Sequence, residues 1–433
     1  MVPVSARSGQ ENKSLGGTRA VQGTLLLGRQ VLGTADNKRH VLMLTQYFAP
    51  DIAGGAFRMA TLYQYLRDVG YEVDVITAVP HKGCAEEVAA DVHVHRVRVS
   101  PAVPHSRVAY GWHYLSFFWR SLWLALRSKG FGADVVFSST PPIFVAVEGV
   151  WVAALLHRPL LLDVRDLWPD SVVDAGKLKA GSAAYRFLRA VEHRCYRNAA
   201  RVFTVSQPMR QHVLGCGASA VDVVYNGVCR TEVAAAAQAI PRRWRPGDVM
   251  KLFYTGNLGL LQDFGFLVDA LPALSERYGD MLQIHFVGTG ARADEYRKAA
   301  ASARPGLLTL HELMPRSALL TMLRDQATFM LVSLSDGSSL AKTIPSKVFE
   351  CLVLQKPVLY HLNGEGDSIL REAGCAVRFD LTGSDFLRAL TEAVERLREL
   401  EEAAETRGLT VLGRFVREDQ YQRIAAAIDT ADR

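Results

Sequence analysis

The sequence has none of the short signatures that hold a metal ion. Its six cysteines, Cys84, Cys195, Cys216, Cys229, Cys351 and Cys375, are scattered without a Cys-x-x-Cys pair. That excludes a simple zinc knuckle or disulfide framework and points to reduced thiols in a cytosolic setting. Asp-x-Asp is also missing, so no local carboxylate pair is available to hold a divalent ion against a diphosphate. His93 and His95 share a strand face with only Asp91 close by, and read as a solvated strand edge. No basic run interleaved with aromatics suggests a nucleic-acid module. The most apolar internal run, Ile143 to Leu156, contains Glu148 and is too short to span a bilayer. Residues 1–39 are polar, carry Gly and Ser, and lack the apolar core of a secretory signal. They read as a flexible extension.

What is present fits a two-domain enzyme. The 433 residues suffice for two cores, with 49% hydrophobic and 22% charged residues. A net charge of +6 and a pI near 9.0 suit an anionic ligand or membrane surface. After residue 39, short apolar runs alternate with longer helical ones, beginning with His40 to Thr45 and ending near Phe379. This rhythm predicts an α/β fold with parallel, doubly wound sheets. It breaks at residues 229–248, where an Ala run precedes Pro241-Arg242-Arg243-Trp244-Arg245-Pro246-Gly247. The expected organisation is therefore one domain over 40–228, a linker over 229–248, and a second domain over 249–408. A terminal helix over 409–433 is expected to cross back to the first.

Two motifs in the second half carry chemistry. In Ile344-Pro345-Ser346-Lys347-Val348-Phe349-Glu350, Pro and Ser suit a helix opening. Free N–H groups at such an opening attract anions, and Lys347 adds a cation. Glu350, about a turn further on, is placed to accept ribose hydroxyls. Upstream, the strand Lys251 to Thr255 runs into Gly256-Asn257-Leu258-Gly259, where glycine lets backbone approach a phosphate. Together they suggest a nucleotide-sugar site. Gly288-Thr289-Gly290 is a lone Gly-x-Gly between a strand and a helix, and is read as a tight turn without a nicotinamide cofactor.

These residues resemble the family 4-type retaining glycosyltransferases of the GT-B fold, which has two Rossmann-like domains facing across a cleft. Further matching segments are Leu44-Thr45-Gln46-Tyr47-Phe48-Ala49-Pro50 with Gly54, Gly55, Ala56 and Arg58, and Asp163-Val164-Arg165-Asp166-Leu167-Trp168-Pro169. Tyr225-Asn226-Gly227-Val228 completes the set. The resemblance covers roughly residues 40–425 and is closest to bacterial surface-polysaccharide transferases of amino sugars or hexoses. It implies that Gly54 and Gly55 form a loop near donor phosphates and acceptor, and that Arg58 meets the acceptor or diphosphate; a surface helix charge is the alternative. Asp166 would orient the acceptor hydroxyl and Arg165 would stabilise developing charge. Gly256, Asn257 and Gly259 would cradle the diphosphate, Met314 would lie against the nucleobase, and Ser346, Lys347 and Glu350 would complete the donor site. Lys342 stands where many members carry Glu, and Asn257 and Gln262 stand where Arg and Lys are common. Lys347 is therefore expected to neutralise the leaving diphosphate, with Lys342 as a second candidate.

The function implied is metal-independent transfer of a hexose or N-acetylhexosamine from a nucleotide-diphosphate sugar, with UDP expected. The acceptor would be a lipid-linked or other saccharide in surface-polysaccharide synthesis, and the protein cytoplasmic or peripheral on the inner membrane. No cofactor and no nucleic acid are implied. Alternatives are a UDP-sugar 2-epimerase of the same architecture, a non-catalytic sugar-nucleotide binding subunit, or a small-molecule secondary metabolite as acceptor. Tyr114 to Phe131, rich in aromatics with Arg120, Arg127 and Lys129, reads either as a core-facing helix or as a membrane-interface helix.

Overall fold

The computed structural model describes residues 39–51, 53–80, 91–101, 107–337 and 339–432. The expected extension lies, except for Arg39, outside the described residues. Runs such as Val41 to Leu44, fully buried along their length, form strands because helices cover both faces of the sheet they enter.

The first sheet contains β1 (His40–Leu44), β2 (Glu72–Ala78), β3 (Val94–Val97), β4 (Val135–Thr140), β5 (Leu160–Val164), β6 (Arg201–Thr204) and β7 (Val221–Val223). The second contains β8 (Met250–Thr255), β9 (Leu282–Val287), β10 (Leu308–His311), β11 (Phe329–Ser333), β12 (Val358–His361) and β13 (Ala376–Arg378). Their orders are β3-β2-β1-β4-β5-β6-β7 and β10-β9-β8-β11-β12-β13, and the pairing is parallel throughout, as at β1–β4 and β8–β11. Each order reverses once, between β1 and β4 and between β8 and β11. Open parallel sheets bind ligands at the carboxyl ends of strands beside such a reversal. Those ends carry the segments after Leu44, Thr140, Thr255 and Ser333.

Two stretches of chain link the lobes side by side. Val228 bridges Val416 in parallel, with Val228 N–H donating to Phe415 O at 3.0 Å and Arg417 N–H to Val228 O at 2.7 Å. The helix Arg417–Thr430 then lies on the first lobe, where Tyr421, Ile424 and Ile428 join the core of Val41, Met43 and Leu62. Residues 229–248 are more ordered than a linker reading allows. Their Ala run forms the helix Arg230–Gln238, as the helix propensity of alanine favours. Glu232 caps it by accepting from Cys229 N–H at 3.0 Å, and Trp244 N–H donates to Glu401 at 2.9 Å. The segment is pinned along the second lobe.

His93 and His95 are not simply solvated. With His40 they contact one carboxylate, Asp74 of β2, at 3.3, 2.9 and 2.6 Å respectively.

Candidate active site

The first-lobe half of the site grows from β5. Asp163 and Arg165 alternate onto one side of the chain as β5 ends. Asp163 is fully buried and accepts from Arg58 Nη2 at 2.8 Å and from Ser139 Oγ at 3.0 Å. Arg58 is only 2% exposed, and its Nη1 donates to Tyr225 O at 3.3 Å and Asn226 Oδ1 at 3.2 Å. The expectation that Arg58 meets an acceptor or diphosphate is therefore corrected, as is the alternative of a surface charge. Its guanidinium is spent inside the protein, because a buried arginine is stable only when paired and hydrogen-bonded.

Gly54 and Gly55, expected in a loop, are instead the first residues of the helix Gly54–Asp68, which has no side-chain cap. A Cβ on Gly55 would fall 1.7 Å from Arg165 Nη1, so glycine there lets the guanidinium lie against the helix opening. Arg165 is held in that position by donating to Ser139 Oγ at 2.9 Å and Pro141 O at 3.0 Å. Asp166 lines a small cavity with Thr140, Ile143, Trp168 and Glu192. Burial raises its carboxyl above the usual range, against the Ser171 hydroxyl, Leu167 N–H and Arg165, which lower it.

The second-lobe half is built by glycine. Gly256 has φ +126° and Gly288 φ +152°, and a Cβ on Gly288 would meet Gly256 O at 1.9 Å. A Cβ on Gly290 would meet Leu258 O at 2.3 Å, and Leu258 N–H donates to Thr289 O at 2.9 Å. The two glycine turns thus stack backbone on backbone. Asn257 lies at the surface of this turn, with its Nδ2 2.3 Å from where a Cβ of Gly259 would be.

The helix Ser346–Leu354 opens after Pro345 without a side-chain cap, leaving Ser346 exposed at its first position. Lys347 Nζ lies 5.3 Å from the Tyr254 ring centroid and 2.5 Å from where a Cβ of Gly256 would be. Burial lowers the pKa of this ammonium, with Glu350 and Cys351 opposing. The two motifs, distant in sequence, therefore meet at one point. Glu350 Oε1 accepts from Arg316 Nη1 at 3.2 Å. Met314 packs on the second-lobe core just before the helix Arg316–Gln326.

Arg316 also brings the halves together. Its guanidinium lies 5.5 Å from the ring centroid of Phe57, in the first turns of Gly54–Asp68, so Glu350 and the Gly54 opening share one neighbourhood. Lys347 and Asp166 are not in contact. Lys342 faces His212 Nδ1 of the first lobe at 3.4 Å. Burial first, then Lys342 and Arg189, push His212 down to about 4. Glu192, His212 and Cys216 are the one group among the described residues whose ligand atoms lie within 4.8 Å of one another. Arg189 Nη1 already occupies that space, 2.9 Å from Glu192 and 3.2 Å from His212.

Several residues that close the cleft carried no signal in the sequence. Asp174 accepts from Ser339 N–H at 2.9 Å, and Glu365 accepts from Tyr225 Oη at 2.6 Å and Gln207 N–H at 2.7 Å. An isolated acid on a helix looks like a solvated charge until its partner in the other lobe is known.

Residues 53–227 match the glycosyl transferase 4-like domain. That match lies within the first lobe and covers less than half of the chain. Probable glycosyltransferase WbjE of Pseudomonas aeruginosa is 26% identical over 242 residues, 54% of this chain and 58% of WbjE. The alignment thus spans little more than half of that relative. Among solved structures, Anabaena HepE in complex with UDP and glucose superposes with a TM-score of 0.63 at 14% identity, covering 90% of this chain and all of HepE. WaaG, a glycosyltransferase involved in lipopolysaccharide biosynthesis, gives 0.62 at 13% identity, again over 90% of this chain and all of WaaG. At these identities the likeness establishes the fold. The two Rossmann-like lobes, each built on a parallel sheet, together form a GT-B architecture.

Proposed function

We propose that this chain is a retaining glycosyltransferase. It moves a hexose or N-acetylhexosamine from a UDP-sugar to a lipid-linked or other saccharide acceptor during surface-polysaccharide synthesis, at the inner membrane face and without a metal ion. The observation that carries the reading is the meeting of Lys347, the uncapped helix at Ser346 and the Gly256 turn. A departing diphosphate needs cationic and dipolar stabilisation, and these groups supply it at one place. The uncapped opening at Gly54 and Gly55 adds N–H donors from the other lobe, and Glu350 accepts from the ribose. As the bond from the anomeric carbon to the diphosphate oxygen breaks, the acceptor oxygen bonds to that carbon on the same face, and the hydroxyl proton passes to the departing diphosphate oxygen. Asp166 orients the acceptor hydroxyl and Arg165 offsets developing charge. HepE, a structural neighbour, has been seen with UDP and glucose, which supports a UDP-sugar donor. A 2-epimerase shares the fold, but the match of residues 53–227 to a glycosyl transferase domain favours transfer.

The test compares UDP affinity by calorimetry with turnover. Lys347→Ala should weaken UDP binding by about ten- to a hundredfold, the loss of a charge-assisted contact, and lower kcat. Asp166→Asn should keep UDP affinity and lose kcat. Turnover should persist in EDTA. Equal loss of UDP binding in both variants, or activity that returns only with manganese, would overturn the assignment.

A further inference from the structure

Four of the six tryptophans lie exposed on one face of the first lobe. Trp112, Trp119 and Trp123, with Leu126, belong to the helix Arg107–Arg127. Their spacing returns each to nearly the same side of a helix of about 3.6 residues per turn, and they are 58%, 54%, 60% and 36% exposed. The opposite side of the same helix, Phe117, Phe118, Leu122 and Ala125, is buried in the core. Trp151 and Leu155 extend the exposed face from the neighbouring helix Ile143–Leu156, at 45% and 58% exposure. The rings of Trp119 and Trp151 are 6.2 Å apart, so this is a single surface formed by two helices. No helix among the described residues is long and apolar enough to cross a membrane.

Charge identifies the partner. The helix Arg107–Arg127 contains no acidic residue, and the one acid of Ile143–Leu156, Glu148, is fully buried. Arg120 and Arg127 are exposed beside the tryptophans, with Lys129 just beyond the helix. Arg127 lies 5.1 Å from the Trp123 ring centroid, and Arg120 donates to a backbone oxygen, that of Arg98, at 2.7 Å. None of the three pairs with a carboxylate among the described residues. Indole rings prefer the water–lipid boundary, and cationic side chains beside them favour anionic headgroups. A protein partner would also accept tryptophans, but an acid-free, arginine-rimmed face best matches a uniformly anionic plane.

We infer that this tryptophan face docks the protein on an anionic phospholipid bilayer. Docking there sets the cleft beside the membrane. His113, next to Trp112 but buried, meets the Gln46 side chain at 2.9 Å, in the segment that leads from β1 to Gly54. The inference deepens the proposed reading, in which the acceptor is lipid-linked, and is tested without any acceptor.

The experiment is co-sedimentation of the full chain with vesicles of phosphatidylcholine alone or mixed with phosphatidylglycerol, beside UDP calorimetry on the same samples. The wild type should bind the mixed vesicles and show a blue shift of tryptophan emission. Trp119→Ala with Trp123→Ala, and Arg120→Glu with Arg127→Glu, should each weaken vesicle binding by about tenfold or more and leave UDP affinity unchanged. Quenching of wild-type emission by brominated lipid is a second measurement that no misfolded variant can confuse. Wild type that ignores anionic vesicles, or variants that bind like wild type, would overturn the docking face while leaving the transferase reading intact. Loss of UDP binding with retained vesicle binding would do the reverse. A wild-type dimer that the tryptophan variants dissociate, with no vesicle binding, would make the face a subunit interface and end the proposal.

Discussion

Asp163, fully buried at the end of β5, touches Arg58 and Ser139 and lies 3.8 Å from Arg165. One carboxylate thus balances two guanidinium groups and sets the position of the one that borders the Gly55 opening. Removing it leaves Arg58 buried without a counter-charge. Asp163→Ala should cost about 3–5 kcal/mol of stability, read as a lowered urea midpoint. Arg58→Met should cost less than Asp163→Ala, because Arg165 remains to face the carboxylate. If Asp163→Ala unfolds at the wild-type midpoint, the buried pair is not what holds this corner.

At the scale of elements, the helix Ile143–Leu156 carries a liability beneath its tryptophan face. Neither oxygen of Glu148 is held in a hydrogen bond; the nearby Ser121 hydroxyl donates to Phe117 O at 2.7 Å and only partly offsets the cost of burying the carboxylate. Burial pushes the Glu148 carboxyl up to about 8 from an ordinary value of 4.5. Between those values the folded protein keeps a proton that the unfolded chain releases, so stability must fall as pH rises through this window. At about 1.4 kcal/mol per unit, the full loss is on the order of 5 kcal/mol. Glu148→Gln cannot ionise, and its stability should decline less with pH than that of wild type. Glu192, raised to about 7 by burial, titrates in both proteins and cancels in the comparison. Parallel pH–stability curves would remove Glu148 as the cause.

For the whole molecule, the lobes are joined at Gly227–Val228 beside Phe415–Arg417 and latched by a few bonds near the cleft. Gly227 has φ +45° and its Cβ would fall 2.0 Å from Phe415 O, so the two crossing stretches need glycine to touch. The latches, Asp174 to Ser339 and Glu365 to Tyr225 and Gln207, involve charged acceptors. Together, Asp174→Ala and Glu365→Ala should raise donor KM by about three- to tenfold, and the radius of gyration in solution scattering should grow, as expected where closure assembles a site. An unchanged KM with an expanded shape would show that donor binding closes the lobes without these bonds.

Alternating apolar runs such as His40–Leu44 and Met250–Thr255 were enough to read two parallel α/β lobes, because strand and helix periods are local. The Pro345-Ser346-Lys347 opening and the Gly256 turn were readable for the same reason, since caps and tight turns are chosen by neighbouring residues. The helix Arg230–Gln238 was also locally encoded, by its alanines, but was obscured by the prolines that follow. Only the tertiary structure decided that Arg58 turns inward to Asp163, 105 residues away, and that Lys347 stands over Gly256. It alone joined Trp119 to Trp151 in one face and Asp174 to Ser339 across the lobes. Such pairs depend on sheet order and on which helix covers which strand, and these follow from packing the whole chain, so no local pattern of residues records them.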